Sequence, residues 1–208
     1  PNYRGDDKPN IIHQSSATGM QAIPTTGIAQ GIKFLERVQS GKLKKGANGE
    51  LPVVVCSLGD ASVTEGEVSE AFQFAALHQL PIIYLVQDNG WGISVTSEEA
   101  RTTNANEMVK GFKGIKRISI DGSDFLQSYD VMKNVVEEVR RERHPFLVHA
   151  RVPLLGHHTS GVRKEFYRTE EDLAKHALDD PGPKLRQKLL EMGISEDHLI
   201  YIEEEAAK

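Results

Sequence analysis

The sequence predicts an α/β fold, a mostly parallel sheet with helices on both faces. Three observations carry the prediction. Short, β-branched apolar runs stand at 51–58, 82–86, 117–120 and 146–152. Stretches with apolar residues at helical spacing lie between them. Pro81 precedes the second run and Pro145 the fourth, where helices should give way to strands. Strands and helices alternating in this rhythm join by right-handed crossovers into a parallel sheet, whose ligands bind at the carboxyl ends of its strands.

Residues 1–15 are polar and read as a loop. From 27 to 38, Ile28, Ile32, Leu35 and Val38 recur at helical spacing. Residues 40–51, with three glycines and three lysines, form a surface connection. The run 51–58 is short enough for a strand buried on both faces. A helix is expected over 64–80. Thr64 can cap it, Glu65 and Glu67 suit the positive end of its dipole, and Ala71, Phe72, Ala75, Ala76 and Leu80 form its apolar face. Pro81 ends it and 82–86 is a second buried strand. A short helix is expected at 108–112 and a third strand at 117–120. Asp124 starts a helix with Phe125, Tyr129, Met132, Val135, Val136 and Val139 as its apolar positions, ended by His144-Pro145. The fourth strand, 146–152, leads into an irregular stretch, 152–169. Loops of that length in compact domains are usually functional or mobile. Residues 170–208 are helical, punctuated by Asp180-Pro181-Gly182-Pro183 and Gly193.

The 208 residues suit one large domain. A formal charge of −5 with no extended basic patch argues against nucleic acid as a partner. The single cysteine, Cys56, lies in an apolar run and reads as a buried small residue. It cannot form a disulfide within the chain, which fits a reducing compartment. No apolar run is long enough to cross a bilayer, and no signal-like amino terminus is present, so no membrane role is expected. The chain opens at Pro1 and stops at Lys208 inside a helical pattern, as a fragment of a longer polypeptide would.

Two motifs carry chemistry. Gly59-Asp60-Ala61 follows the first apolar strand, and Asp88-Asn89-Gly90-Trp91 follows the second. Asp60 and Asn89 offer a carboxylate and an amide oxygen, which are ligands for a hard cation such as Mg²⁺. Ala61 and Ser62 lie in the turn toward a helix amino terminus, where free N–H groups favour a phosphate. Taken singly, an Asp after a strand is most often a turn former; the paired placement favours a metal. His157 and His158 stand together in a Gly/Ser/Thr loop and are more informative than the scattered histidines, of which only His13, just before Ser15-Ser16, adjoins a motif. Glu203-Glu204-Glu205 and the charges at 137–141 read as solvated helix faces. No Gly-x-Gly-x-x-Gly follows a strand, which argues against a nicotinamide-binding domain.

The stretch Gly59-Asp60-Ala61, Glu65-Gly66, Glu70-Ala71, Leu80-Pro81 and Asp88-Asn89-Gly90-Trp91-Gly92-Ile93-Ser94 resembles the thiamine-diphosphate-binding motif. More narrowly, it is similar to the α subunit of the E1 component of 2-oxo acid dehydrogenase complexes. Ser15-Ser16 with Gln21-Ala22-Ile23-Pro24 and Gly27 resembles that family's segment before its first core helix. Gly156-His157-His158-Thr159-Ser160 with Tyr167-Arg168 resembles its active-site loop, in the double-histidine form of the branched-chain enzymes. The tail, from Asp180-Pro181 to Ile202-Glu203, resembles its carboxyl-terminal helices and separates it from transketolases and decarboxylases.

The resemblance implies thiamine diphosphate and Mg²⁺ as cofactors. Asp60 and Asn89 would hold the metal through side chains and Trp91 through its backbone carbonyl. Ser16, Gly59, Ala61, Ser62 and Gln87 would line the cofactor. His158 would reach the diphosphate and the reacting carbonyl, as the catalytic residue, while Tyr167 and Arg168 order the loop. The implied reaction is oxidative decarboxylation of a branched-chain or pyruvate-type 2-oxo acid with acyl transfer to lipoyl-E2. The implied partners are the E1 β subunit or a fused β-like domain, which supplies a glutamate to the aminopyrimidine, and the lipoyl domain of E2. The implied location is the bacterial cytoplasm or the mitochondrial matrix, and the 208 residues alone are expected to be inactive. Other thiamine-diphosphate enzymes, of transketolase or acetoin dehydrogenase type, and a non-catalytic assembly module are the alternatives.

The sequence departs from the pattern in places. Ala61 replaces the motif's second glycine, which requires a negative φ there. Asp88 replaces the first of two asparagines. Met20 stands where relatives carry a threonine of a monovalent-cation site, and Leu154 replaces a loop arginine. Gly161-Val162-Arg163-Lys164 replaces acidic residues after the histidines. The family's Tyr-Arg pair for the diphosphate is expected ahead of Pro1, since Tyr3-Arg4 lies too close to Ser15 to stand in for it.

Overall fold

In the computed structural model, which describes residues 11–12, 16–159 and 161–208, four strands pair in parallel. Readings that fall on Tyr3, Arg4, His13, Ser15 and Ser160 lie outside the described residues. The strands are β1 (Val54–Gly59), β2 (Ile82–Asp88), β5 (Lys116–Asp121) and β6 (Phe146–Arg151), in the order β1-β2-β6-β5. Between β2 and β5 lies a small antiparallel pair, β3 (Trp91–Gly92) and β4 (Val95–Thr96). The helices are α1 (Ala22–Val38), α2 (Gly66–His78), α3 (Ser97–Ala100), α4 (Ala105–Met108), α5 (Phe125–Glu142), α6 (Glu170–Leu178), α7 (Pro181–Glu191) and α8 (Glu196–Ala206).

The sheet separates two apolar layers, as expected of helices on both faces. On one side α1 and α2 pack with Cys56, Leu58, Ile82, Tyr84 and Val86. On the other, Val135 and Val139 of α5 meet Ile83, Ile120, Phe146, Val148 and Ala150. All five apolar residues assigned to α2 and its exit are buried, and so is Cys56. Among the described strands β1 and β5 are edges; the solvent-facing Lys116 and Arg117 on β5 guard against stray pairing.

Several expectations are corrected. The first strand begins at Val54, not at 51. Thr64 does not cap α2, because its hydroxyl donates to the Ala61 carbonyl in a preceding 3₁₀ turn, Ala61–Thr64. The helix foreseen at 108–112 starts earlier, at Ala105, where Asn104 caps it by accepting from Glu107 N–H at 3.0 Å. Helix α1 buries Ala22, Thr26 and Ala29 rather than Ile28 and Val38. Small residues let its backbone approach, and Thr26 Oγ1 lies 2.7 Å from the buried Tyr84 hydroxyl. Phe125 and Tyr129 of α5 face solvent and stack on each other instead of joining the core. Inserting β6 between β2 and β5 brings the loop that follows β6 beside the end of β2.

Candidate functional site at the carboxyl ends of β1 and β2

Gly59 pairs with Gln87 in the β1–β2 register, so Asp60 and Asp88 leave the sheet side by side. Asp60 is only 4% exposed. The chain turns at once into the 3₁₀ segment, locked by Ser62 Oγ–H donating to Gly59 O at 2.6 Å. Ala61 is not among the non-glycine residues with positive φ, so the alanine at this motif position is unstrained. Its methyl has room because residue 92 is glycine; a Cβ there would lie 3.2 Å from Ala61 Cβ.

The second turn is held by its own side chains. Asp88 Oδ1 accepts from Gly90 N–H at 3.0 Å, and Asn89 Oδ1 accepts from Trp91 N–H at 2.9 Å. Two residues, Ile93 and Ser94, then reverse the chain between β3 and β4. Ile93 has φ 61°, a region costly for a β-branched residue, by about 1–3 kcal/mol. A capping box of Thr96 and Glu99 starts α3, and Ser97 N–H donates to Gly90 O at 2.8 Å. This short excursion delivers Arg101 back to the carboxylates. Its Nη1 lies 2.6 Å from Asp60 Oδ2 and its Nη2 3.6 Å from Asp88 Oδ1, with the side chain 8% exposed. Sequence reasoning missed Arg101; the signal was the Thr-x-x-Glu box at 96–99, which fixes a turn of helix just before it.

The two carboxylates differ. Burial, then repulsion from Asp88, pushes the Asp60 carboxyl above its ordinary range despite Arg101. Burial also acts on Asp88, but hydrogen bonds from His149 and Gly90 N–H and the Arg101 charge outweigh it and hold Asp88 below that range. His149 Nε2 lies 2.8 Å from Asp88 Oδ2, and Ser119 Oγ lies 2.9 Å from His149 Nδ1.

Trp91 ties this turn to the loop after β6. Its ring packs against Tyr167 with centroids 5.6 Å apart, and the Arg168 guanidinium lies 5.4 Å above it. Arg168 pairs with Asp172 at 2.5 Å and donates to Leu154 O at 2.8 Å. Leu154 N–H donates to His176 Nδ1 at 2.8 Å. His157 Nδ1 accepts from Lys164 N–H at 3.3 Å. His158 Nδ1, Tyr167 Oη and Arg168 Nη2 are buried without a hydrogen-bond partner.

The fold therefore brings Gly59, Asp60, Ala61, Ser62, Gln87, Asn89 and Trp91 to one edge. Gln87 Oε1 there accepts from Ser57 Oγ–H at 2.8 Å. Ser16 and His158 lie on flanking segments, and no hydrogen bond or ion pair among the described residues ties them to Asp60 or Asn89. The segment after exposed Ser16 rests on the start of α2, where a Cβ on Gly19 would come within 3.0 Å of Glu65. A cleft of about 390 Å³ opens among Asn89, Asp121, Arg151, Lys175 and Asp179, and Asp60 does not line it.

The residues fit a diphosphate-bound divalent ion. Asp60, Asn89 and the Trp91 carbonyl are hard oxygen donors. Among the described residues no cluster of three His, Cys, Asp or Glu side chains forms a metal site of its own, so further ligands would come from the bound molecule. Open space lies where a Cβ on Gly59 would point. The unpartnered polar atoms of Tyr167 and Arg168 belong to the side chains that pack on Trp91.

Fold and site together define an α/β domain of the thiamine-diphosphate-binding type. The chain belongs to the dehydrogenase E1 component family, whose sequence pattern matches residues 2–208. It is 35% identical over 144 residues to 3-methyl-2-oxobutanoate dehydrogenase subunit alpha of Mycobacterium tuberculosis, covering 68% of this chain and 39% of that protein. It is 32% identical over 188 residues to pyruvate dehydrogenase E1 component subunit alpha of Rickettsia bellii, covering 89% and 53%. The chain thus spans about half or less of these relatives. Among solved structures, transketolase from Campylobacter jejuni matches 79% of this chain and 26% of that one, with a TM-score of 0.58 at 20% identity, a likeness of fold.

Proposed function

We propose that this chain is the diphosphate-side domain of a 2-oxo acid dehydrogenase E1 component, with 152–169 as its active-site loop and 170–208 as its helical tail. The observation that carries the reading is that Asp60 leaves β1 beside Asp88-Asn89 at the end of β2, with Arg101 between the carboxylates of Asp60 and Asp88. Asp60, Asn89 and the Trp91 carbonyl would hold Mg²⁺. Ser16, Gly59, Ala61, Ser62 and Gln87 would line thiamine diphosphate. Arg101, paired with Asp60 here, is a cation that would face the diphosphate. The cofactor, when bound, would supply the carbon nucleophile and the electron sink for decarboxylation of a 2-oxo acid.

The protein's share is orientation and proton handling. His158, its Nδ1 free of other partners, holds or moves a proton at the substrate carbonyl. Tyr167 and Arg168 anchor the loop on Trp91 and so limit water around the reacting atoms. The substrate is a branched-chain or pyruvate-type 2-oxo acid, and the acyl group passes to a lipoyl group of E2. An E1 β subunit or fused β-like domain completes the aminopyrimidine side. The setting is the bacterial cytoplasm or mitochondrial matrix; among the described residues no helix is long and apolar enough to cross a membrane.

Calorimetric titration of the full chain, assembled with its β part, tests this. Saturable binding of thiamine diphosphate that requires Mg²⁺ is expected, together with decarboxylation of a 2-oxo acid. Absence of any Mg²⁺-dependent binding would sink the reading.

A further inference from the structure

A chain of three side chains, centred on a buried histidine, stands behind the turn after β2. His149 lies on β6, between β2 and β5, and is 2% exposed. Its register partner on β5 is Ser119, and on β2 it is Val86. Side chains alternate along a strand, so Asp88, two residues past Val86, projects on the same side. That placement explains the contacts. His149 Nε2 lies 2.8 Å from Asp88 Oδ2, and its Nδ1 lies 2.9 Å from Ser119 Oγ.

The hydrogen bonds fix the side of the ring that faces Asp88. Asp88 is a carboxylate and can only accept, so Nε2 carries a proton. Nδ1 meets the Ser119 hydroxyl, which can serve it as donor or acceptor. Both oxygens of Asp88 are thereby committed, Oδ2 to the imidazole and Oδ1 to the Gly90 N–H at 3.0 Å. The carboxylate can neither rotate toward the metal nor release the turn. Asn89 and the Trp91 carbonyl, the next two oxygen donors along the chain, inherit that fixed direction.

We propose that His149, backed by Ser119, is a positioning residue that holds Asp88 and aims the 88–91 turn at the metal. This rests on the diphosphate reading above. It accounts for a carboxylate at position 88 that leaves metal binding to Asp60 and Asn89. Partners one step behind metal ligands typically change metal affinity by about 10–100-fold when removed.

The test is the Mg²⁺ affinity of the assembled enzyme at saturating thiamine diphosphate, followed by calorimetry, with thermal unfolding of each variant alongside. His149→Leu should weaken Mg²⁺ binding by about 10–100-fold. His149→Gln, whose amide can still donate to Asp88, should recover most of that loss. The pair His149→Leu with Asp88→Asn should bind better than His149→Leu alone, because no buried carboxylate is left without its donor. A merely structural histidine would lower the unfolding temperature in the Leu and Gln variants alike and leave Mg²⁺ affinity unchanged, which overturns the proposal. Wild-type enzyme that binds Mg²⁺ and cofactor while His149→Leu binds equally well overturns this inference alone. Wild-type enzyme with no Mg²⁺-dependent binding overturns the diphosphate reading with it.

Discussion

The turns after β1 and β2 are tied mostly by their own groups, whereas the loop after β6 keeps more polar atoms unmatched. In the turns, Asp88 has His149 and Gly90 N–H, Asn89 has Trp91 N–H, and Ser62 has Gly59 O, while Asp60 faces the Arg101 charge although its Oδ2 accepts no hydrogen bond. In the loop, His158 Nδ1, Tyr167 Oη and Arg168 Nη2 are buried with nothing to bond. The loop is held at its root by Arg168 and His176 on Leu154 and by the Trp91 ring, and within itself by Lys164 on His157 and Leu155 and by a Thr159–Val162 bridge. Buried polar groups are costly when unsatisfied. A region that keeps them is shaped for a group it has yet to meet. The turns keep one such atom, Asp60 Oδ2, and the loop keeps three, so the turns are the more fully organised of the two.

The largest break in that contrast is Asp60→Ala. It leaves the Arg101 guanidinium buried with only the more distant Asp88 as counter-charge. Removing one member of a buried pair costs about 3 kcal/mol. Urea unfolding of the full chain should show that loss without any ligand present, and Mg²⁺ binding should fail as well. A variant as stable as wild type would mean that the turns are no more organised than the loop.

A smaller effect tests the close fit of the two turns. Gly92→Ala puts a methyl 3.2 Å from Ala61 Cβ. Ala61 cannot retreat easily, because Thr64 Oγ–H is donated to its carbonyl at 2.8 Å. Overpacking of this kind costs about 1–3 kcal/mol. Adding Ala61→Gly should restore both stability and cofactor affinity. Lack of rescue in the double variant would show that the two positions are not coupled.

The same contrast separates what the sequence revealed from what it hid. Helix α2 and strand β2 were legible because Leu80-Pro81 stops one and starts the other, and because Ala71, Phe72, Ala75, Ala76 and Leu80 share one buried face. Asp60 and Asn89 were legible because a strand end fixes its next residue. Helix α1 was found, but its buried face was misread, since it packs by alanine and threonine rather than by its larger side chains. Arg101 was missed because its role depends on the 90–100 excursion, which no hydrophobic period announces. His149 sits 61 residues from Asp88, and a histidine inside an apolar strand gives no hint of which neighbour it meets. Strand order, set by packing of the crossovers, is what joins them.

The smallest effect concerns the loop root. His176 Nδ1 accepts the Leu154 N–H, so it must be neutral on that side. Burial first, then the Arg168 charge, lowers its pKa below the ordinary 6.5, with Lys175 adding to this and Asp172 and Asp179 opposing it. A histidine depressed in the folded state contributes its stability above the unfolded value and loses it as the pH falls through the folded one. The root should therefore hold at pH 7.5 and loosen progressively below about 6.5. One hydrogen bond is worth about 1 kcal/mol, or about fivefold in the protection of the Leu154 amide against hydrogen exchange. His176→Gln, which can accept the same bond without titrating, should hold that protection constant across the range. The amides of the 88–91 turn should keep theirs in both proteins, provided the pH stays above the carboxylate range. Equal loss at Leu154 and at Gly90 would erase the distinction between the turns and the loop.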